Sequence, residues 1–261
     1  MNYSKKSLGQ NFLVDKNIIK KIISLVKIEG KNIIEIGPGK GALTDEILKR
    51  KPKKLSIIEK DFNLAQKLKK DYFKIDYLHV YNADILKFDL EKLCKKDTII
   101  FGNLPYNISS QILIKILRLK QWPPKISNLI FMFQKELGKK IIGKYSSSDY
   151  GRLSIITNYR LDIIEKFLVS KNCFTPKPKV TSMVINFKPK INEEYKINKI
   201  NNLEKVTNIL FSNKRKMINK NIKKILDDVN INKIIGAKLN LRPSEIKPEV
   251  YYKITEMFEK K

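Results

Sequence analysis

Asn103-Leu-Pro-Tyr106, near the middle of the chain, has the residue types and order needed to handle an aromatic amine. The motif follows Thr98-Ile-Ile-Phe101, a short apolar run that reads as a buried strand. Backbone geometry alone does not require an amide, a proline and an aromatic at such a strand end. An exocyclic amine on a purine is a poor nucleophile, because its lone pair is delocalised into the ring. The amide oxygen of Asn103 and the main-chain carbonyl of Leu104 can accept its two N–H groups. Acceptors placed there favour the charge that develops as the nitrogen attacks an electrophile. Pro105 fixes the backbone that carries the carbonyl, and Tyr106 offers a face on which a base can stack. Phe174, in Phe174-Thr-Pro-Lys-Pro-Lys-Val180, is the candidate for the opposite face, since stacking contributes roughly 1–3 kcal/mol per base. The bland alternatives are a plain strand-to-helix turn and a stiff turn whose Phe packs inward.

The electrophile needs a carrier, and Glu35-Ile-Gly-Pro-Gly-Lys-Gly-Ala-Leu-Thr44 has the form of a ligand loop. Gly37 permits a sharp turn, Gly39 lets backbone approach a ligand, and Gly41 suits close helix–strand packing. Glu59 ends the next strand, where a carboxylate can take both hydroxyls of a ribose. NAD satisfies this pattern too, acidic partner included. Two further residues favour S-adenosyl-L-methionine. Glu35 suits an ammonium rather than a pyrophosphate, and Asp84, in Asn82-Ala-Asp84, can accept from an adenine amine. The loop by itself leaves both ligands open.

Positioning these groups requires a sheet. Asn32–Ile36, Lys54–Ile58, Tyr77–Tyr81, Thr98–Phe101 and Asn128–Met132 read as strands, with helical spacing in Ala42–Arg50, Asn63–Lys70 and Ser109–Lys120. Such alternation predicts an α/β fold built of βαβ units around a parallel sheet. Ile163–Val169 and Val180–Phe187 predict an antiparallel pair finishing that sheet. Beyond Pro189 the segments Leu203–Ser212, Asn213–Asp228, Asn230–Leu239 and Ser244–Phe258 read as helices, the last starting beside Pro243. The expected domains are therefore residues 1–188 and 189–261.

With 261 residues, 42% of them hydrophobic, the chain can bury a substantial core. A formal net charge of +28 favours a polyanionic partner; a compositional bias toward Lys, Ile and Asn is the competing explanation. Lys214, Arg215, Lys216, Lys220, Lys223 and Lys224 form a cluster without an acid, read as a phosphate-tracking face or a solvated one. Cys94 and Cys173 give neither a disulfide framework nor metal spacing. His79 is the single histidine, which argues against a triad or a multi-His metal site, and it reads as a strand residue. No signal peptide and no apolar run of the ~20 residues a membrane span needs are visible. A soluble cytoplasmic monomer is expected, with no metal and no membrane contact.

Taken in order, these motifs resemble the ribosomal RNA adenine N6,N6-dimethyltransferases. The resemblance runs through Leu8-Gly-Gln-Asn-Phe-Leu-Val-Asp15, Glu35–Thr44, Glu59, Asp84, Gly102–Ser109, Gln134-Lys-Glu136, Tyr150-Gly-Arg-Leu-Ser154, Phe174–Val180 and Phe211-Ser-Asn-Lys-Arg-Lys216. It implies a Rossmann-like S-adenosylmethionine-dependent methyltransferase domain with a small C-terminal helical domain. Asn11, Leu13, Gly37, Gly39, Glu59, Asp84 and Asn103 would line the cofactor site. Asn103, Leu104, Tyr106 and Phe174 would hold the target adenine, and Lys214, Arg215, Lys216 and Lys220 would contact RNA. Among the branches of the family the chain looks most similar to the bacterial small-subunit enzymes, which modify two adjacent adenosines near the 3′ end of 16S rRNA within the small ribosomal subunit. The macrolide-resistance branch acting on 23S rRNA is the alternative, and a non-catalytic ribosome-assembly factor is another. Thr181 and Lys214 depart from the residues many bacterial members carry, Asp and Arg respectively.

Overall fold

A computed structural model describes residues 11–232, 234 and 240–260. Leu8, Gly9 and Gln10 of the N-terminal motif, and most of the helix expected over 230–239, lie outside the described residues. The chain divides into two compact units. One comprises the chain up to Gly138 with Asp162–Pro189, the other Lys139–Leu161 with the residues from Lys190 onward.

The first unit is organised by a sheet most of whose strands are buried on both faces, as helices covering either side require. In chain order its elements are β1 (Phe12–Leu13), α1 (Lys16–Ile23), β2 (Asn32–Ile36), α2 (Ala42–Lys49), β3 (Lys54–Glu59), α3 (Phe62–Asp71), β4 (Leu78–Asn82), β5 (Thr98–Asn103), α4 (Ser109–Leu117) and β6 (Ile126–Gln134). After α5 (Lys135–Ile141) and α6 (Arg152–Arg160) come β7 (Leu161–Val169), β8 (Phe174–Thr175) and β9 (Ser182–Pro189). Asp15 starts α1 by accepting the N–H groups of Asn17 and Ile18 at 2.9 and 3.0 Å. Asp61 caps α3 in the same way.

The central sheet has the order β4-β3-β2-β5-β6-β9-β7. Strands β2 to β6 pair in parallel, and β9 joins β6 antiparallel. From β2 the chain winds outward through β3 and β4, then returns to β5 on the other side. The carboxyl ends of β2 and β5 therefore flank the point where the strand order reverses, the place where open α/β sheets leave a crevice. The expected closing pair takes the positions β9 then β7, so the later strand sits inside and the earlier one forms the edge. Between them, β8 leaves the sheet to pair antiparallel with β1, Leu13 opposite Phe174 and Phe12 opposite Thr175.

The second unit packs α6 with α7 (Ile200–Leu210), α8 (Asn219–Ile222), α9 (Asp228–Asn232) and α10 (Pro248–Glu259). The expected boundary assigned all of residues 1–188 to one domain, yet Lys139–Leu161 belongs with these helices. Tyrosine hydroxyls explain the attachment. Tyr150 donates to the Ile246 carbonyl at 2.8 Å, Tyr159 to that of Tyr195 at 2.9 Å, and Tyr252 to that of Ile155 at 3.1 Å. The long helix expected over Asn213–Asp228 is reduced to α8 and turns; on a continuous helix Lys216, Lys220 and Lys224 would stand four apart as like charges with no acid to relieve them. Pro243 opens only a single 3-10 turn; α10 begins at Pro248, whose ring disfavours helical geometry at Lys247.

Candidate active site

At the carboxyl ends of β2, β3 and β5 lies one cavity in the first unit, lined by Asn11, Leu13, Glu35, Gly37, Gly39, Glu59, Asp84, Asn103, Leu104 and Tyr106 among others. Ten residues singled out from the sequence thus meet at one place. The glycine loop explains part of this. Gly37 and Gly39 have φ of +67° and +60°, the left-handed region that glycine enters without strain. A Cβ on Gly39 would stand 2.8 Å from the Phe12 ring, so the loop needs a bare backbone there.

Each carboxylate in the cavity has a distinct environment. Glu35, at 1% exposure, accepts from the Thr44 hydroxyl on Oε2 at 2.7 Å, while its Oε1 is buried without a hydrogen-bond partner. Burial pushes its pKa up to about 8, with Asp45 and Glu59 adding repulsion and the Thr44 bond opposing it. Glu59 accepts main-chain N–H groups from Gly39 (3.2 Å) and Asp61 (2.8 Å) on its two oxygens. Burial raises its pKa, and those two N–H groups hold it back. Asp84 sits in a more open position. It pairs with Lys60 at 2.9 Å and accepts the Leu86 N–H, and the Lys60 bond lowers its pKa.

The amide of Asn103 closes the other end. Its Nδ2 donates to the main-chain carbonyl of Asn11 at 3.1 Å, which leaves Oδ1 as the acceptor it can offer. Gly102 permits the Leu104 side chain to fold back, because a Cβ there would lie 2.5 Å from Leu104 Cδ2 and 3.1 Å from Phe131. Leu104 is consequently buried at 1% exposure and lines the cavity. The Tyr106 hydroxyl meets the Ser182 hydroxyl at 2.6 Å.

Phe174 departs from expectation. Its ring is 3% exposed and packs in the core with Leu13 and Val184, so it does not line the cavity. In the pairing of β8 with β1, Leu13 and Phe174 are cross-strand partners. Its visible effect is to hold β1 beside the cavity. Phe12, on that same strand, lines the cavity and carries Lys40 Nζ 4.8 Å above its ring, yet sequence reasoning gave it no role. The only available signal was its place in the Leu8–Asp15 motif. Lys214, Arg215, Lys216 and Lys220 are exposed in the second unit, the first three on the turn before α8 and Lys220 within it.

Residues 1–260 match the sequence model of the family described as ribosomal RNA adenine dimethylase. The chain belongs to that family. A protein named ribosomal RNA small subunit methyltransferase A from Pelagibacter ubique is 42% identical over 98% of this chain and 97% of its own. One of the same name from Francisella tularensis subsp. novicida is 39% identical over 93% of both chains. Among solved structures, a dimethyladenosine transferase from Plasmodium falciparum superposes with a TM-score of 0.76 at 25% identity, covering 95% of this chain and 98% of that one. The 23S rRNA methyltransferase ErmE shares the fold, with a TM-score of 0.71 at 22% identity over 95% of this chain and all of its own.

Members of the ribosomal RNA adenine dimethylase family use S-adenosylmethionine, and the cavity fits it. An orphaned, buried carboxylate oxygen on Glu35 is the acceptor that an ammonium tail would satisfy. The Gly39 loop has bare main chain at the cavity, and Glu59 places a carboxylate beside it.

Proposed function

We propose that this chain transfers methyl groups from S-adenosylmethionine to the N6 amines of two adjacent adenosines near the 3′ end of 16S rRNA, giving N6,N6-dimethyladenosine as the small subunit matures. The convergence of Asn103–Tyr106 with Glu35, Glu59 and Asp84 on one cavity carries this reading. Family membership and relatives at 35–42% identity named for the small subunit support it over a 23S substrate.

Bound S-adenosylmethionine supplies an electrophilic methyl group on a sulfonium. Glu35 would hold the ammonium of its tail, Glu59 the ribose hydroxyls and Asp84 the adenine amine, with Asn11 and, on β1, Phe12 and Leu13 lining the same cavity. Asn103 Oδ1 and the Leu104 carbonyl accept the two N–H groups of the target amine. Preorganised acceptors of this kind stabilise developing positive charge without reorganising at the moment of reaction. They also hold nitrogen at the approach needed for in-line attack. Tyr106 supports the extruded base by stacking, which offsets part of the cost of unstacking it from RNA.

Proton removal needs no base in the protein. The N-methylated aromatic ammonium formed in each of the two transfers is acidic, and its proton can leave to water once the new bond has formed. Burial raises the Tyr106 pKa, so its phenol stays neutral and acts through its face and its hydrogen bond. The exposed Lys214, Arg215, Lys216 and Lys220 are proposed to track phosphates, in keeping with the +28 charge of the chain.

Purified protein with methyl-labelled cofactor should be offered unmethylated small subunits, free small-subunit RNA and large-subunit RNA. Label on the small-subunit RNA supports the proposal. Label confined to large-subunit RNA would transfer it to the 23S branch, and none on any RNA would leave an assembly factor.

A further inference from the structure

Tyr106 is held at both ends. Its main-chain carbonyl accepts from the Ser109 hydroxyl at 3.2 Å, while its phenol meets Ser182 Oγ at 2.6 Å, 76 residues away in sequence. Ser182 opens β9, is completely buried, and stands opposite Gln134 at the end of β6. Its position is thus fixed by the sheet, not by a loop. Ser182 is a fully buried hydroxyl on a largely apolar strand, Ser182-Met-Val-Ile-Asn-Phe, and its burial is costly unless it is bonded. The bond it makes goes to the one aromatic ring of the cavity that is proposed to carry a base.

We propose that Ser182 is a positioning residue for methyl transfer: its hydroxyl anchors the Tyr106 phenol and so fixes the plane on which the target adenine stacks. The inference rests on the function proposed above. A ring pinned by Pro105 at its backbone and by Ser182 at its far end presents one plane. Without the anchor the ring can swing about χ1, and the target nitrogen loses its alignment with the Asn103 and Leu104 acceptors. Misplacing a reacting atom by ~1 Å can cost on the order of 10²-fold in rate. Because the displacement here is a tilt, a smaller loss follows.

The test is a double-mutant cycle on the full-length protein with unmethylated small subunits. Ser182→Ala and Tyr106→Phe should each lower kcat about tenfold, with little change in KM for the subunit and unchanged affinity for S-adenosylhomocysteine by calorimetry. The double variant should be no slower than the poorer single one, since both remove the same bond. If Ser182→Ala fails to fold, Tyr106→Phe breaks the bond from the other side without touching the core. Wild-type kcat in either single variant, or losses that multiply in the double variant, would overturn the proposal. A wild-type protein that binds S-adenosylhomocysteine yet methylates no subunit would overturn the function itself, and this inference with it.

Discussion

The side-chain amide of Asn103 donates to the main-chain carbonyl of Asn11 at 3.1 Å, across 92 residues of sequence. That single bond sets which way the amide faces. With Nδ2 directed at β1, Oδ1 becomes the acceptor available in the cavity. The segment that lines the cavity through Asn11, Phe12 and Leu13 therefore also orients the group proposed to receive the target amine.

Asn103→Ala removes both the acceptor and the link to β1. We expect kcat for methylation of unmethylated small subunits to fall by about 10²- to 10³-fold, by comparison with the loss of one preorganised donor in an oxyanion hole. Subunit binding, measured by sedimentation, should stay within a few fold. An equal collapse of binding in a folded variant would show that Asn103 serves the interface instead.

Glu35 gives the cavity a pH dependence whose sign is fixed. Its pKa is pushed up to about 8 in the ligand-free protein, so near pH 6–7 it holds a proton there. A ligand ammonium favours the carboxylate, so binding should release a proton, and affinity for S-adenosylhomocysteine should rise about tenfold per pH unit from ~6 toward ~7.5. Calorimetry in buffers of different ionisation enthalpy measures that release, and Glu35→Gln should abolish it. Stability runs the other way. Between an ordinary carboxylate value of 4.5 and about 8 the folded chain retains a proton that the unfolded chain has lost. Ligand-free stability therefore falls as pH rises through that window. Glu35→Gln should accordingly show a weaker fall in melting temperature between pH 5 and pH 8.

Gly39→Ala asks an alanine to adopt φ +60° and drives a methyl to 2.8 Å from the Phe12 ring. The left-handed conformation costs roughly 1–2 kcal/mol, and Phe12 must move as well. We expect S-adenosylhomocysteine affinity to drop at least tenfold, more than in Phe12→Ala, where the ring is lost but the loop keeps its shape. Titration of both variants decides between them; equal affinity in Gly39→Ala and wild type would mean that β1 does not close the site.

Lys214, Lys216 and Lys220 can be neutralised together as Gln. If these exposed side chains contact phosphates, the slope of log affinity for small-subunit RNA against log salt should flatten by about 2–3, since each neutralised phosphate contributes roughly 0.7–0.9. An unchanged slope would mark the face as solvated surface.

Much of the site was legible because its parts stand at strand ends. Glu35, Gly37, Glu59, Asp84 and Asn103 each follow an apolar run with a clear period, and a parallel sheet brings such ends to one edge. The residues that were not legible depend on pairing across long separations. Phe12 lines the cavity because β1 pairs with β8, some 160 residues later, and two-residue strands have no period to read. Phe174, in the same pairing, is buried, where an aromatic beside prolines had read as a base-stacking platform. Lys139–Leu161 joined the second unit for a similar reason: Tyr150, Ile155 and Tyr159 bond to carbonyls or hydroxyls far downstream, which local composition does not report. The C-terminal helix breaks before α8 and at Pro248 could have been anticipated from the like charges four apart at Lys216, Lys220 and Lys224 and from the residue-before-proline rule.

The most direct measurement is nucleoside mapping by mass spectrometry of small-subunit RNA, taken from unmethylated subunits before and after incubation with the protein and S-adenosylmethionine. We expect N6,N6-dimethyladenosine at two adjacent positions near the 3′ end and no new modification elsewhere. Methyl groups on a different atom or base, or an unmodified 3′ end despite bound cofactor, would contradict an Asn103–Tyr106 pocket built for the adenine amine.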